Sequence, residues 1–401
     1  MKFTYFKYTL LLSACCLLLL MNCAEDEDHI LSSLQNIDTP TITSIEPAVG
    51  FGGEEVVITG SGFSTDPAEN LITFGPHDNY GYKSVRPTQA TATSLTFTSP
   101  IISAVDDTIF TKVRVSRLDD SDPLRSNDLD ISFVPLISTY ASGFTRARSI
   151  AFDAAGDGYV ADYDVDNLRI VKVTASGNED YSHFPTTNLR GEIEFDSKGN
   201  LWVATAWQAL YKIPPGGGDP EDTGWTGDDA GRYFKSISFD ANDNLYGSLE
   251  GIYRMAPDGT ETHLDIGGDS WPGVVSTVAD GYLYWWWKTE EDPQSLHKAP
   301  LTADGIGEIE TIMEHEHCKY WPNSIVVDTD GNVYGTGGGW GNDNPASLYK
   351  VAPDGTESIV YELGIENCWG LEFRGEYIYV ATQEDGRVLR CYMGGAVGAG
   401  R

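Results

Sequence analysis

SIVVDTDGNVYGT, residues 324–336, joins an apolar run to a second β-prone run across a turn built from Asp, Gly and Asn. Gly and Asn tolerate the tight backbone that links antiparallel strands, so the segment reads as strand, turn, strand. The pattern returns in SIAFDAAGDGYVA (149–161), EIEFDSKGNLWVA (192–204), SISFDANDNLYGS (236–248), VVSTVADGYLYWW (274–286) and GLEFRGEYIYVAT (370–382). Its aromatic position falls on Tyr159, Trp202, Tyr246, Tyr284, Tyr334 and Tyr379, at steps of 43, 44, 38, 50 and 45 residues. Each unit continues into a second strand pair, as in IYRMAPDGT (252–260) and LYKVAPDGT (348–356). A four-stranded unit recurring about every 44 residues has the period of a propeller blade. Six units predict a six-bladed β-propeller over residues 136–395, with PLISTYASG (135–143) supplying the strand that closes the last blade. Asp153, Asp196, Asp240 and Asp328 are expected to organise the turns and to have no catalytic part.

These segments resemble NHL repeats and, more distantly, gluconolactonase-like propellers. Unit four departs from the pattern with Val278 where most units have Asp, and unit six has a shorter turn. Upstream, residues 39–135 alternate short β-prone runs such as TITSIEP (41–47), EEVVITGSGF (54–63) and TKVRVSR (111–117) with Gly, Pro and Asn. That spacing, without a helical period, predicts a small antiparallel sandwich. PTITSIEPAVGFGGEEVVITGSGFS (40–64) resembles the start of an IPT/TIG domain, an immunoglobulin-like module that usually serves as a spacer. The predicted fold is therefore all-β, an immunoglobulin-like sandwich followed by the propeller.

Residues 1–22 carry Lys2 and Lys7, then an apolar run from Leu10 to Met21 that is too short to span a bilayer comfortably. A charged start before such a run is a secretory signal. LMNC (20–23) resembles a relaxed lipoprotein cleavage box, which implies lipidation of Cys23; an ordinary signal peptide with Cys23 incidental is the alternative. AEDED (24–28) resembles the acidic tag that sends lipoproteins of the Bacteroidota to the outer face of the outer membrane. Residues 23–38 then form a flexible acidic tether, and the lipid is the expected membrane attachment. A formal charge of −34 with only 26 basic residues argues against nucleic acid as a partner. With Cys23 lipidated, Cys318, Cys368 and Cys391 allow one bridge, and the sequence does not choose the pair.

In a propeller the residues just before each innermost strand converge on one mouth of the central channel. Here they include Arg148, Arg190, Phe234, Lys235, Trp271, Trp321, Asn323 and Trp369, a concentration of cations and indoles on a chain with few bases. Indole faces pack against the C–H face of a pyranose, and Arg recognises planar anions through paired hydrogen bonds. The expected ligand is a polysaccharide, and the Arg content points to an anionic one. The consecutive indoles Trp285, Trp286 and Trp287 continue blade four, and strand alternation is expected to bring Trp286 to the binding face.

Catalytic readings find less support. Gluconolactonase-like sites hold a divalent metal with Glu, two Asn and Asp; Asn323 matches one position, but the others offer Arg148, Arg190, Lys235, Gly273 and Gly370. Ca²⁺ wants six or more oxygens, so no metal and no cofactor are expected. His315, His317 and Cys318 could contribute to a zinc site only with a fourth ligand. The architecture as a whole resembles the surface glycan-binding lipoproteins of Bacteroidota polysaccharide-utilisation systems. That implies noncatalytic capture of a polysaccharide for an outer-membrane importer and its binding lipoprotein. The alternatives are a propeller enzyme, lactonase-like or a lyase, and a protein-binding scaffold. Cys23→Ala should move the protein from the membrane fraction to the soluble fraction, read by fractionation and immunoblot. Retention of the variant in the membrane would refute lipidation at Cys23.

Overall fold

The computed structural model describes residues 39–75, 83–99, 109–118, 123–163, 168–184, 191–205, 210–225, 234–248, 251–266, 274–287, 294–315, 322–337, 346–363, 365 and 367–401. Cys23 and the segments expected to form the signal and the tether lie outside them, as do Arg190, Trp271, His317, Cys318 and Trp321. The chain divides into two compact units, one ending at Pro135 and one running from Leu136 to Arg401. Among the described residues no helix is long and apolar enough to cross a membrane.

The first unit is a sandwich of two sheets. One orders Thr41–Glu46, Glu55–Ser61, Ser94–Thr98 and Gln89–Ala90; the other orders Val49–Phe51, Leu129–Val134, Ile109–Arg117, Asn70–Gly75 and Lys83–Val85. Alternation buries Val56, Ile58, Ile72, Phe74, Leu95, Phe97, Val113 and Val115 between them, as expected of strands with one face inward.

The second unit is the six-bladed propeller. Its innermost strands are Ala147–Phe152, Ile193–Phe195, Ser236–Phe239, Val275–Ala279, Ile325–Val327 and Cys368–Arg374, adjacent in cyclic order. In each of the first five blades the next strands follow outward by antiparallel pairing. Blade six takes its outermost strand, Ile137–Ser142, from before blade one and pairs it with Arg387–Tyr392, as the sequence predicts.

Both faces of every blade are covered by a neighbour, so the hydrophobic core is divided into six inter-blade clusters. This decides the fate of the indole triplet. Trp285 packs between blades three and four, against Tyr246 and Val274, while Trp286 packs between blades four and five, against Tyr349 and Val333. They are 0% and 1% exposed, and Trp287 lies half-buried on the Trp285 side. Alternation sends successive indoles to opposite faces, but in a propeller neither face is solvent. Trp286 is therefore a core side chain and does not reach the binding face.

The turn aspartates do what the repeat implied. Asp240 Oδ1 accepts the N–H groups of Asn242 and Asn244 at 2.8 and 2.9 Å, and Oδ2 accepts Asn244 Nδ2 and the Tyr246 hydroxyl at 2.7 and 3.2 Å. Asp328 repeats this with Asp330, Asn332 and Tyr334, and Asp196 with Lys198, Asn200 and the Trp202 indole N–H. Burial of Asp196 opposes ionisation, yet the bonds from Asn200, Trp202 and Lys198 outweigh it and hold its pKa below the usual value. In the four units that carry it, the Asp bonds the Tyr or Trp six residues on, while Tyr284 and Tyr379 hold that position without it. Asp240→Ala and Asp328→Ala each strip a charged acceptor from buried donors and should cost about 2–4 kcal/mol in urea unfolding. A loss under about 0.5 kcal/mol, the range of an unremarkable surface change, would mean the turns hold without the carboxylate.

Candidate functional site

The innermost strands all run from the channel mouth toward the Asp turns. At the mouth, buried Asp162 fixes the lead into blade one. It accepts the N–H groups of Thr145 and Arg146 at 2.8 and 3.0 Å, and both Nε and Nη2 of Arg169 at 3.1 and 3.0 Å. Arg148, thus positioned, lays its guanidinium 3.9 Å from the ring of Trp369 on blade six and 5.0 Å from Tyr163 on blade one. Arg146 lies 5.8 Å from the same Tyr163 ring. A guanidinium on an indole face is attracted by the ring quadrupole, more strongly where water is excluded, and Arg148 is only 6% exposed. Trp369 itself is partly exposed.

Other mouth residues bridge blades. Lys235, from blade three, donates to the carbonyl of Pro322 ahead of blade five at 3.4 Å, and Asn323 Nδ2 donates to the Cys368 carbonyl of blade six at 3.0 Å. Phe234 is a correction: expected to face ligand, it is 1% exposed and stacks on Trp225, centroids 4.6 Å apart, between blades two and three. Arg148, Lys235, Asn323 and Trp369 are therefore brought to the mouth, Phe234 and Trp286 are core, and Arg190, Trp271 and Trp321 fall outside the described residues. Cys368 and Cys391 are buried free thiols.

Below the mouth lies a cavity of about 130 Å³, lined by Ser149, Ser238, Ser324 and three glutamates, Glu192, Glu194 and Glu372. Glu192 extends from blade two. It accepts the Ile237 N–H of blade three at 3.2 Å and the hydroxyl of Ser324 on blade five. Desolvation pushes its pKa up to about 8, against the pull of these bonds and of Lys235. Desolvation also raises Glu194 and raises Glu372 well above the ordinary value, while the charge of Arg401 draws both down. What surface these carboxylates keep faces the channel; the Glu194 side chain is 15% exposed. Among the described residues no three Asp, Glu, His or Cys side chains gather as metal ligands.

The sequence reading missed Glu194, Glu372 and Arg401. The available signal was positional: Glu194 and Glu372 lie opposite the repeat aromatics Trp202 and Tyr379, where other units carry Ala151, Ser238, Thr277 and Val326.

Comparison with known proteins agrees with the fold. Residues 40–131 match the IPT/TIG domain family. No curated protein matches the chain. A putative phosphatase from Bacteroides thetaiotaomicron superposes with TM-score 0.52 at 12% identity, covering 91% of this chain and 98% of its own. An auxiliary nutrient binding protein from the same organism gives 0.50 at 12% identity, covering 88% and 97%. A gluconolactonase from Xanthomonas campestris gives 0.50 at 10% identity, covering 64% and 89%. Such low identities establish architecture alone.

Glu192 holds a proton in the folded state that the unfolded chain releases near its ordinary pKa of about 4.3. Its contribution to stability is therefore complete below that pH and is lost as pH rises through about 8. Thermal unfolding should show Tm falling across this window, and Glu192→Gln should flatten the fall while preserving an acceptor for Ile237. An unchanged slope in the variant would remove Glu192 as its source.

Proposed function

We propose that this protein is an outer-membrane surface lipoprotein, anchored through Cys23, that captures a polysaccharide at the propeller mouth without cleaving it and passes it to an importer. The observation that carries the binding reading is the Arg148–Trp369 pair. It sets a partly exposed indole, its open surface suited to a sugar, beside a buried cation whose charge favours a carboxylate or sulfate nearby. Arg146 and Lys235 add charge around it. The ligand favoured is therefore an anionic glycan, which the acidic remainder of the surface repels everywhere else. A nutrient-binding role for one architectural neighbour is in keeping with this reading. The immunoglobulin-like unit acts as the spacer between lipid and propeller.

One observation favours a second reading. Glu192, whose own N–H donates to the Lys235 carbonyl at 3.2 Å beside the mouth and whose pKa burial pushes up to about 8, has the ionisation of a proton donor. A propeller enzyme would use it on the same ligand.

Calorimetric titration against neutral and anionic glycans at two salt concentrations, followed by product analysis, separates the two. Trp369→Ala should weaken binding by about 1–3 kcal/mol. Arg148→Ala should weaken it and reduce its dependence on salt. Equal affinity for a neutral glucan with no salt effect would overturn the anionic assignment, and turnover abolished by Glu192→Gln would establish the enzyme.

A further inference from the structure

At the opposite end of the channel lies the segment GGAVGAGR, residues 394–401. Its backbone is threaded onto the blades. The Thr329 N–H donates to the Val397 carbonyl at 2.9 Å, the Ala399 N–H to the Val327 carbonyl at 2.9 Å, and the Asp280 N–H to the Gly400 carbonyl at 2.6 Å. Gly398 lies so close to Phe373 that an added Cβ would sit 2.6 Å from that side chain, so only glycine lets the segment descend there. Ala399 and Arg401 line the cavity. The Arg401 guanidinium donates to Glu194 Oε1 of blade two and lies 5.8 Å from the ring of Phe239 on blade three. Its charge also reaches Glu372 of blade six.

We propose that this end of the channel is a guanidinium socket, formed by Glu194, Glu372 and the ring of Phe239, and that Arg401 is the plug that fills it. The chemistry of the three walls selects a planar cation. Glu194 accepts an N–H, Glu372 adds a second carboxyl lining the same cavity, and the Phe239 ring stands 5.8 Å away, surroundings that an ammonium satisfies less well. The segment and its side chain together touch blades two, three, four, five and six, so the plug ties the ring across its axis.

The ionisable groups facing the cavity are Glu192, Glu194, Glu372, Arg401 and, from the mouth, Lys235. Carboxylates outnumber cations, and burial disfavours their charge. Removing the guanidinium would leave Glu194 and Glu372 to take up protons, an arrangement whose cost grows with pH. A side chain that merely filled space would show no such growth.

The test is thermal unfolding of Arg401→Gln and Arg401→Lys in the full chain at about pH 5 and about pH 8.5, which bracket the buried carboxyls. The Gln variant should lose several degrees at the higher pH and markedly less at the lower; Lys should fall between Gln and the parent. Low-millimolar methylguanidinium should raise the Tm of Arg401→Gln at the higher pH more than methylammonium or sodium at equal ionic strength. Adding Glu194→Gln should abolish that gain, and the amides of Asp280 and Thr329 should exchange faster once the plug is lost. An equal loss at both pH values, or no preference for methylguanidinium, would overturn the socket. Neither result depends on the glycan reading, which is tested by ligand titration alone.

Discussion

Ring closure is the constraint on which the larger unit depends. A propeller blade has two apolar faces, and each stays wet until the neighbour on that side is in place. The pairing of Ile137–Ser142 with Arg387–Tyr392 completes blade six, and with it the last two inter-blade clusters. A side-chain bond from Arg390 Nε to Ser138 Oγ, 3.2 Å long and spanning 252 residues of chain, reinforces it. Near the axis, hydroxyls carry the same task from blade to blade. Ser149 accepts the Ile193 N–H, Ser236 the Ser276 N–H, Ser238 the Val278 N–H and Ser324 the Leu371 N–H. These edge donors face the channel, and without such acceptors they would be buried or solvated only by cavity water.

The channel thus has two electrostatic characters. The mouth gathers Arg146, Arg148 and Lys235, while the middle holds three carboxyls whose ionisation burial discourages. A cation at each end, Lys235 and Arg401, moderates that burial. Buried ionic groups of this kind seldom add much net stability against an apolar filling, yet they cost heavily when one partner is taken away.

What the sequence revealed and what it hid divide along the distance between interacting residues. The Asp turns were legible because Asp240, Asn244 and Tyr246 interact within a few residues of chain, and the repetition of that local pattern set the blade count. Arg148 and Trp369 were legible as mouth residues because their place before an innermost strand fixes where they go. Phe234 holds an equivalent place and was misread, since its partner Trp225 comes from the loop of the preceding blade. Trp286 was misread because strand alternation distinguishes two faces without saying that a neighbour covers both. Arg401 was hidden altogether: its partner Glu194 lies 207 residues away, and the glycine-rich approach to it has no repeat to mark it.

The closing strand has a consequence for biogenesis. Residues 137–142 are the first of the propeller to leave the ribosome and the last to find their partner, which must wait for residues 387–392. Until then the folding chain carries unpaired strand edges and open blade flanks of Val, Ile, Leu and Tyr side chains. Such non-local pairing makes folding slow, and exposed edges invite pairing with the wrong chain. A protein built this way is at greatest risk just before completion, when five blades are formed and the sixth is still missing a strand.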